Sequence, residues 1–255
     1  PSAKGNPVVS HVTPFPDHGP GPAATPEGLI DAVVHLVSTG AVPLGAYTLA
    51  ELTVVDAVVD FLEERPSDEV LGEAVRSLAA RQLLVATRDS ADLQVRGDLG
   101  IALAFQQRAR RVVDVRVTGT SPGEPWRILL LPQPERITLE IRIDALGVHE
   151  LGLYQTEEAI ERTADWLPGG DVADPARSPA ADAALAAARR SALVTQVTYS
   201  AVGTAEQAES VTDVVLAQVG DDLHLYVRDA QDHTALVPRR VRSQDPKQIL
   251  ASLMG

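Results

Sequence analysis

Cysteine is absent, and aromatic residues make up only 4% of the 255-residue chain. Without cysteine there can be no disulfide, no thiolate nucleophile and no thiolate-held metal, a composition that fits a reducing cytoplasm. The scarcity of aromatics predicts a core built on Leu, Val, Ala and Ile. No apolar run is long enough to span a bilayer, and the N-terminus lacks the basic-then-apolar pattern of a signal peptide. Positive charge is also short. Lys and Arg total 22 against 35 Asp and Glu, a net charge of −13, which opposes non-specific binding to phosphates and repels acidic membranes. A soluble, cytoplasmic, acidic protein is the expectation.

What is present starts with 45% hydrophobic content, enough to bury one large core or two small ones. The clearest local signal is Arg136–Ile143. Here Ile137, Leu139, Ile141 and Ile143 alternate with Thr138, Glu140 and Arg142, the period of a half-buried strand. Strands are expected around it at Val112–Thr118, Trp126–Leu131 and Val148–Tyr154, followed by a helix that opens at Thr156-Glu157-Glu158 and ends at Trp166-Leu167-Pro168. Further on, Leu193–Tyr199, Thr212–Val219, Leu223–Arg228 and Thr234–Val237 repeat the strand series, and Asp245–Met254 repeats the closing helix. In this correspondence Leu223–Arg228 matches Ile137–Arg142. The fold expected is α+β: a quasi-duplicated antiparallel meander sheet flanked by helices and related by a pseudo-two-fold axis.

Ahead of the first meander, Pro1–Thr25 is rich in Pro and Gly and reads as a flexible arm. Pro26–Ser38 reads as a helix with Leu29, Val33, Leu36 and Val37 as its apolar stripe, stopped by Gly40. Thr48-Leu49-Ala50-Glu51 is a capping box that opens a helix to about Glu64. The next helix starts at Ser67 or Asp68 and presents Val70, Leu71, Ala74, Val75 and Leu78. A short hairpin pairs Val85–Ala86 with Leu93–Val95 around Arg88-Asp89-Ser90, and a further helix spans roughly Asp98 to Arg110. Residues 169–178 (GGDVADPARS) read as a linker, and an Ala-rich helix follows from Pro179 to Arg190. The domain division expected is therefore 1–25, 26–168, 169–178 and 179–255.

Catalytic signatures are weak. Gly119-Thr120-Ser121-Pro122-Gly123 has the G-x-S-x-G form of a nucleophile elbow. However, Pro122 lacks the N–H an oxyanion hole requires after the serine, and another strand follows where the elbow needs a helix. It reads as a turn. His11, His18, His35, His149, His224 and His233 show no i, i+4 ligand pair and read as structural or solvated, with His224 pointing outward from its strand. Gly220-Asp221-Asp222 reads as a hairpin turn. No phosphate-binding glycine loop occurs. No catalytic, cofactor-binding or metal-ligating residue is assigned, and a non-enzymatic protein is expected.

Arg76–Arg116 has eight arginines against four aspartates, a local balance of +4. Two helices followed by a hairpin also resemble a winged helix-turn-helix, with Glu69–Arg81 as the recognition helix. Glu69 and Glu73 at the N-terminal end of that helix oppose phosphate contact. A DNA-binding regulator is the alternative reading.

The layout resembles the EspG family of type VII secretion chaperones from actinobacteria. The resemblance lies in Tyr47–Leu52 with the helix ending Leu78–Leu84, in Val112–Val117 leading through the meander to Trp166-Leu167-Pro168, and in the repetition up to Ile249-Leu250. Gln82 departs from the Arg-Gly-Leu that family members often have there. The resemblance implies a cytosolic, non-enzymatic chaperone, monomeric or homodimeric, that binds helical secretion substrates of the PE–PPE type. It would engage them through a sheet face and loops, for which Gln133, Glu135, Arg136, Glu140 and Arg142 are the candidates.

Overall fold

The computed structural model describes residues 26–56, 66–86, 93–199, 208–229, 232, 234–239 and 245–255. The expected arm 1–25, the helix continuation to Glu64, the Arg88-Asp89-Ser90 turn, and His11, His18 and His233 lie outside the described residues. The protein is α+β, with two compact units. The first comprises residues 1–108 and 147–152, and the second residues 109–146 and 153–255.

In the first unit, α1 (Pro26–Thr39) buries Ile30, Val33 and Val37 while Leu36 stands 54% exposed, one position off the expected stripe. Strand β1 (Val42–Thr48) follows and is hydrogen-bonded to β7 (Val148–Gln155), of which this unit takes the residues up to Gly152. Its Pro43 and Gly45 hide the strand from a period-2 reading, because only Leu44 and Tyr47 are buried along it. The capping box forms as expected at the start of α2 (Leu49–Val54): Glu51 N–H donates to Thr48 Oγ1, and Thr48 N–H donates to the Glu51 carboxylate. Then come α3 (Asp68–Ala80), a hairpin of β2 (Leu84–Ala86) and β3 (Leu93–Val95), and α4 (Gly97–Arg108).

The second unit is built on an antiparallel sheet. Strands β4 (Arg111–Thr118), β5 (Arg127–Pro132) and β6 (Ile137–Ile143) form one meander. Strands β9 (Arg190–Tyr199), β10 (Ala208–Val219), β11 (Asp222–Arg228) and β12 (Leu236–Pro238) form the other. The two meet where β4 pairs antiparallel with β9, from Arg111 opposite Thr198 to Thr118 opposite Ser191. The order is therefore β6-β5-β4-β9-β10-β11-β12. Helices α5 (Thr156–Ala164) and α7 (Pro246–Met254) cover one face, closing over Val113, Val115, Ile128, Leu130, Val194, Leu216 and Leu225. On the other face α6 (Ala181–Ala187) packs on Val215, Ala217 and Tyr226. This helix is shorter than its alanine content predicts, because Arg190 already belongs to β9.

Two expectations change. Residues 169–178 are not a free linker: β8 (Asp171–Val172) pairs parallel with β11, and Pro175–Arg177 form a 3-10 turn capped by Asp174. Gly170 is held at φ +138°, with its missing Cβ position 2.6 Å from the Asp221 carbonyl, so the glycine permits close approach rather than flexibility. The two compact units divide at residues 108–109 and around 147–152.

The correspondence of Leu223–Arg228 with Ile137–Arg142 also fails at the level of faces. Ile128 pairs with Arg142 and Leu130 with Glu140, so Thr138, Glu140 and Arg142 share the helix-covered face. Leu223 and Leu225 lie on that same face in β11. Residues matched by sequence therefore point to opposite sides of the sheet.

Candidate functional site

The five residues expected to meet a partner do not form an open surface. Gln133 opens the β5–β6 turn, is 6% exposed, and its Nε2 donates to the Leu131 carbonyl at 3.1 Å. Glu135 is half-buried. Arg136 is exposed, with φ +60°, and its guanidinium pairs with Glu157 at the start of α5. The Arg136 carbonyl accepts the Thr156 N–H at 2.9 Å, and Thr138 and Thr156 join their hydroxyls at 3.1 Å. This turn is a bracket for the N-terminus of α5.

Glu140 is 2% exposed, not the outward strand residue the alternation implies. Its Oε1 lies 3.4 Å from Arg162 of α5 and 3.5 Å from the half-buried Arg142. Arg162 in turn lies over the Tyr154 ring at 4.3 Å. Burial pushes the Glu140 carboxyl above the usual carboxylate range, against the pull of the two arginines. Burial raises the Tyr154 hydroxyl as well, with the Glu140 charge adding to it. This cluster fixes α5 to the sheet and offers little to a macromolecule.

The face opposite α5 and α7 has a different character. A polar band crosses it. Arg127 donates twice to Asp114, both bonds at 2.9 Å and both side chains 5% exposed, and Arg116 adds a third bond to the same carboxylate. Thr195 lies opposite both Asp114 and Asp213, its hydroxyl donates to Asp213 at 2.8 Å, and Arg228 pairs with that carboxylate. Val211 is 59% exposed and directly opposite the half-buried Val197, with Tyr199 further along β9. Among the described residues β11 pairs with β10 from Val214 to Val219. Local spacing does not show the exposure of Val211, because it depends on which strands lie beside β10, a non-local fact.

Polar groups elsewhere serve structure. His224 is 7% exposed, and its Nδ1 lies 3.1 Å from Ser178 Oγ, anchoring the 169–178 segment to β11; it does not point outward as expected. The Asp174 carboxylate caps the 3-10 turn, accepting the Ala176 N–H at 3.0 Å. A depression of about 530 Å³ is lined by Asp171, Val172, Asp245 and Gln248, but Asp245 is occupied as the N-cap of α7. Among the described residues no cluster of three or more His, Asp or Glu is placed to hold a metal. The Ser121 N–H donates to Glu124 in a turn, as the proline at 122 implies.

Five of the eight arginines in residues 76–116 are shown with partners. Arg76 pairs with Glu73 on the exposed side of α3. Arg81 pairs with Glu51 at 3.2 Å and lies over the Tyr47 ring at 4.9 Å. Arg96 donates to Gln94, Arg116 to Asp114, and Arg111 to the carbonyls of Met254 and Gly255. No helix among the described residues is long and apolar enough to cross a membrane. Neither a scan against models of known protein families nor a search of curated proteins returns a match.

Proposed function

We propose that this chain is a non-enzymatic, cytosolic protein-binding chaperone or adaptor, a quasi-duplicated EspG-like fold that engages helical secretion substrates of the PE–PPE type. The observation that carries the reading is the exposed Val211, which lies beside the half-buried Val197 and Tyr199 and the Asp213–Arg228 ion pair. An apolar centre with a charged rim is the anatomy of a protein-binding patch. The quasi-duplication rests on the order of elements, each meander running outward from the β4–β9 pair, and not on residue-for-residue register. The DNA-binding alternative draws no support from the engaged arginines, since each bound guanidinium would have to give up its partner to meet a phosphate.

Co-expression with PE–PPE heterodimers tests the proposal. A heterodimer that is insoluble alone should be recovered soluble in a 1:1:1 complex, and Val211→Asp should abolish recovery while leaving the chaperone folded. Failure of every pair to be retained, together with a salt-sensitive mobility shift on duplex DNA, would refute it. Retention undiminished by Val211→Asp would move the binding surface elsewhere.

A further inference from the structure

Asp114 and Glu140 are both buried in the sheet of the second unit, and they are held differently. Asp114 has both oxygens bonded, each to an Arg127 nitrogen at 2.9 Å. Glu140 is as deeply buried, yet its contacts are few and long. Its Oε1 is 3.4 Å from Arg162 and 3.5 Å from Arg142, and its buried Oε2 has no hydrogen-bond partner among the described residues. Neither contact reaches the roughly 2.7–2.9 Å of a charge-assisted bond, and an ionised carboxylate offers about four acceptor sites. Both arginines are part-exposed, and Arg162 is shared with the Tyr154 ring, so solvent screens their charge. The site suits a neutral carboxylic acid better than a carboxylate. Burial outweighs the pull of the two arginines and favours the protonated form.

What this acid holds is the end of a helix. Arg162 stands in the last turn of α5. The first turn is pinned separately, by the Thr156 N–H on the Arg136 carbonyl and by the Thr138–Thr156 hydroxyl pair. The charged and titratable groups that face Glu140 are Arg142 on its own strand, Tyr154 on β7, and Glu158 and Arg162 on α5. β5 sets the apolar Leu130 directly opposite it. We propose that Glu140 is a proton-binding site that latches the last turn of α5: neutral, it lies packed beneath the helix; ionised, it demands donors the packed site does not supply, and the turn lifts to admit solvent. Glu158 acts in the same sense, since a second negative charge on α5 opposes ionisation. The first turn stays pinned, so the motion is confined to one end of the helix. The inference does not rest on the chaperone reading.

The test follows the full chain, labelled with carbon-13 and nitrogen-15, by NMR from acid to mildly alkaline pH. Glu140→Gln identifies the Glu140 carboxyl signal by its loss. That carboxyl should titrate above the exposed glutamates. Once its midpoint is passed, the amides of residues 161–164 should exchange with solvent faster than in Glu140→Gln at the same pH. The Thr156 amide, bonded to Arg136, should exchange alike in both. Arg162→Met keeps the stem, removes the charge and should move the midpoint up by about one pH unit. Should Glu140→Gln not fold, correlation of the carboxyl with its own backbone identifies the signal in the parent, and exchange is compared across the midpoint after correction for the intrinsic rate. The proposal is overturned if Glu140 titrates with the exposed glutamates. It is equally overturned if the titration leaves exchange at residues 161–164 unaltered or slows it, or if Thr156 is released to the same extent.

Discussion

Asp114 sits in the middle of the polar band and takes three bonds from two arginines while nearly excluded from water. Removing one partner of such a pair strands a buried charge, so Asp114→Ala should cost about 3–5 kcal/mol. Replacing both buried partners with apolar residues, Asp114→Leu with Arg127→Met, should recover most of that loss. Urea denaturation of the single and double variants checks both. Glu140 presents the opposite case. Burial raises its carboxyl in the folded protein, so the folded state holds this proton more tightly than the unfolded chain does. Stability from this group is fully present below the ordinary carboxylate range and is lost as pH rises through the raised folded value. Glu140→Gln removes that loss. Relative to the parent, the variant should gain stability from acid to neutral pH, and urea midpoints falling behind the parent over that interval would contradict it.

At the scale of elements, the capping box of α2 reaches beyond its own helix. Thr48→Ala should cost about 1 kcal/mol, the usual loss of an N-cap. Glu51→Ala should cost at least twice as much, because its Oε1 also accepts from Ser77 at 2.7 Å and Arg81 at 3.2 Å, tying α2 to the end of α3. Gly119→Ala is expected to destabilise by about 2 kcal/mol or more, since L-residues resist left-handed backbone and the added Cβ would lie 2.4 Å from the Arg189 carbonyl at φ +73°. Thermal or chemical melts of the three variants rank these losses. The capping box, the Gly220-Asp221 hairpin and the strands from β4 to β7 were legible in the sequence because each is written in local spacing. Period-2 alternation in β6 told which side chains share a face; it could not tell that α5 would bring Arg162 over the polar face and bury Glu140. Residues 169–178 misled in another way: a glycine chosen for close approach and one chosen for freedom look alike in composition.

For the second unit as a whole, the defining arrangement is a pair of meanders that meet at β4 and β9. Within each meander, neighbouring strands are joined by short connections, such as the Gln133–Arg136 turn and the Gly220-Asp221 hairpin. At the meeting point, Thr118 pairs with Ser191, 73 residues away. Local pairings close cheaply and distant ones pay a larger loop entropy before any bond rewards it. Each meander should therefore acquire protected amides early in refolding, and the β4–β9 rung should zip last. Pulse-labelled hydrogen exchange resolves the order, and protection of Val112 and Val197, whose amides face each other across the junction, ahead of Leu130 and Leu225 would contradict it. Until that rung closes, two strands in the middle of the finished sheet are two open edges, so the step at which this unit is most exposed to misassembly is set by the place where its two halves join.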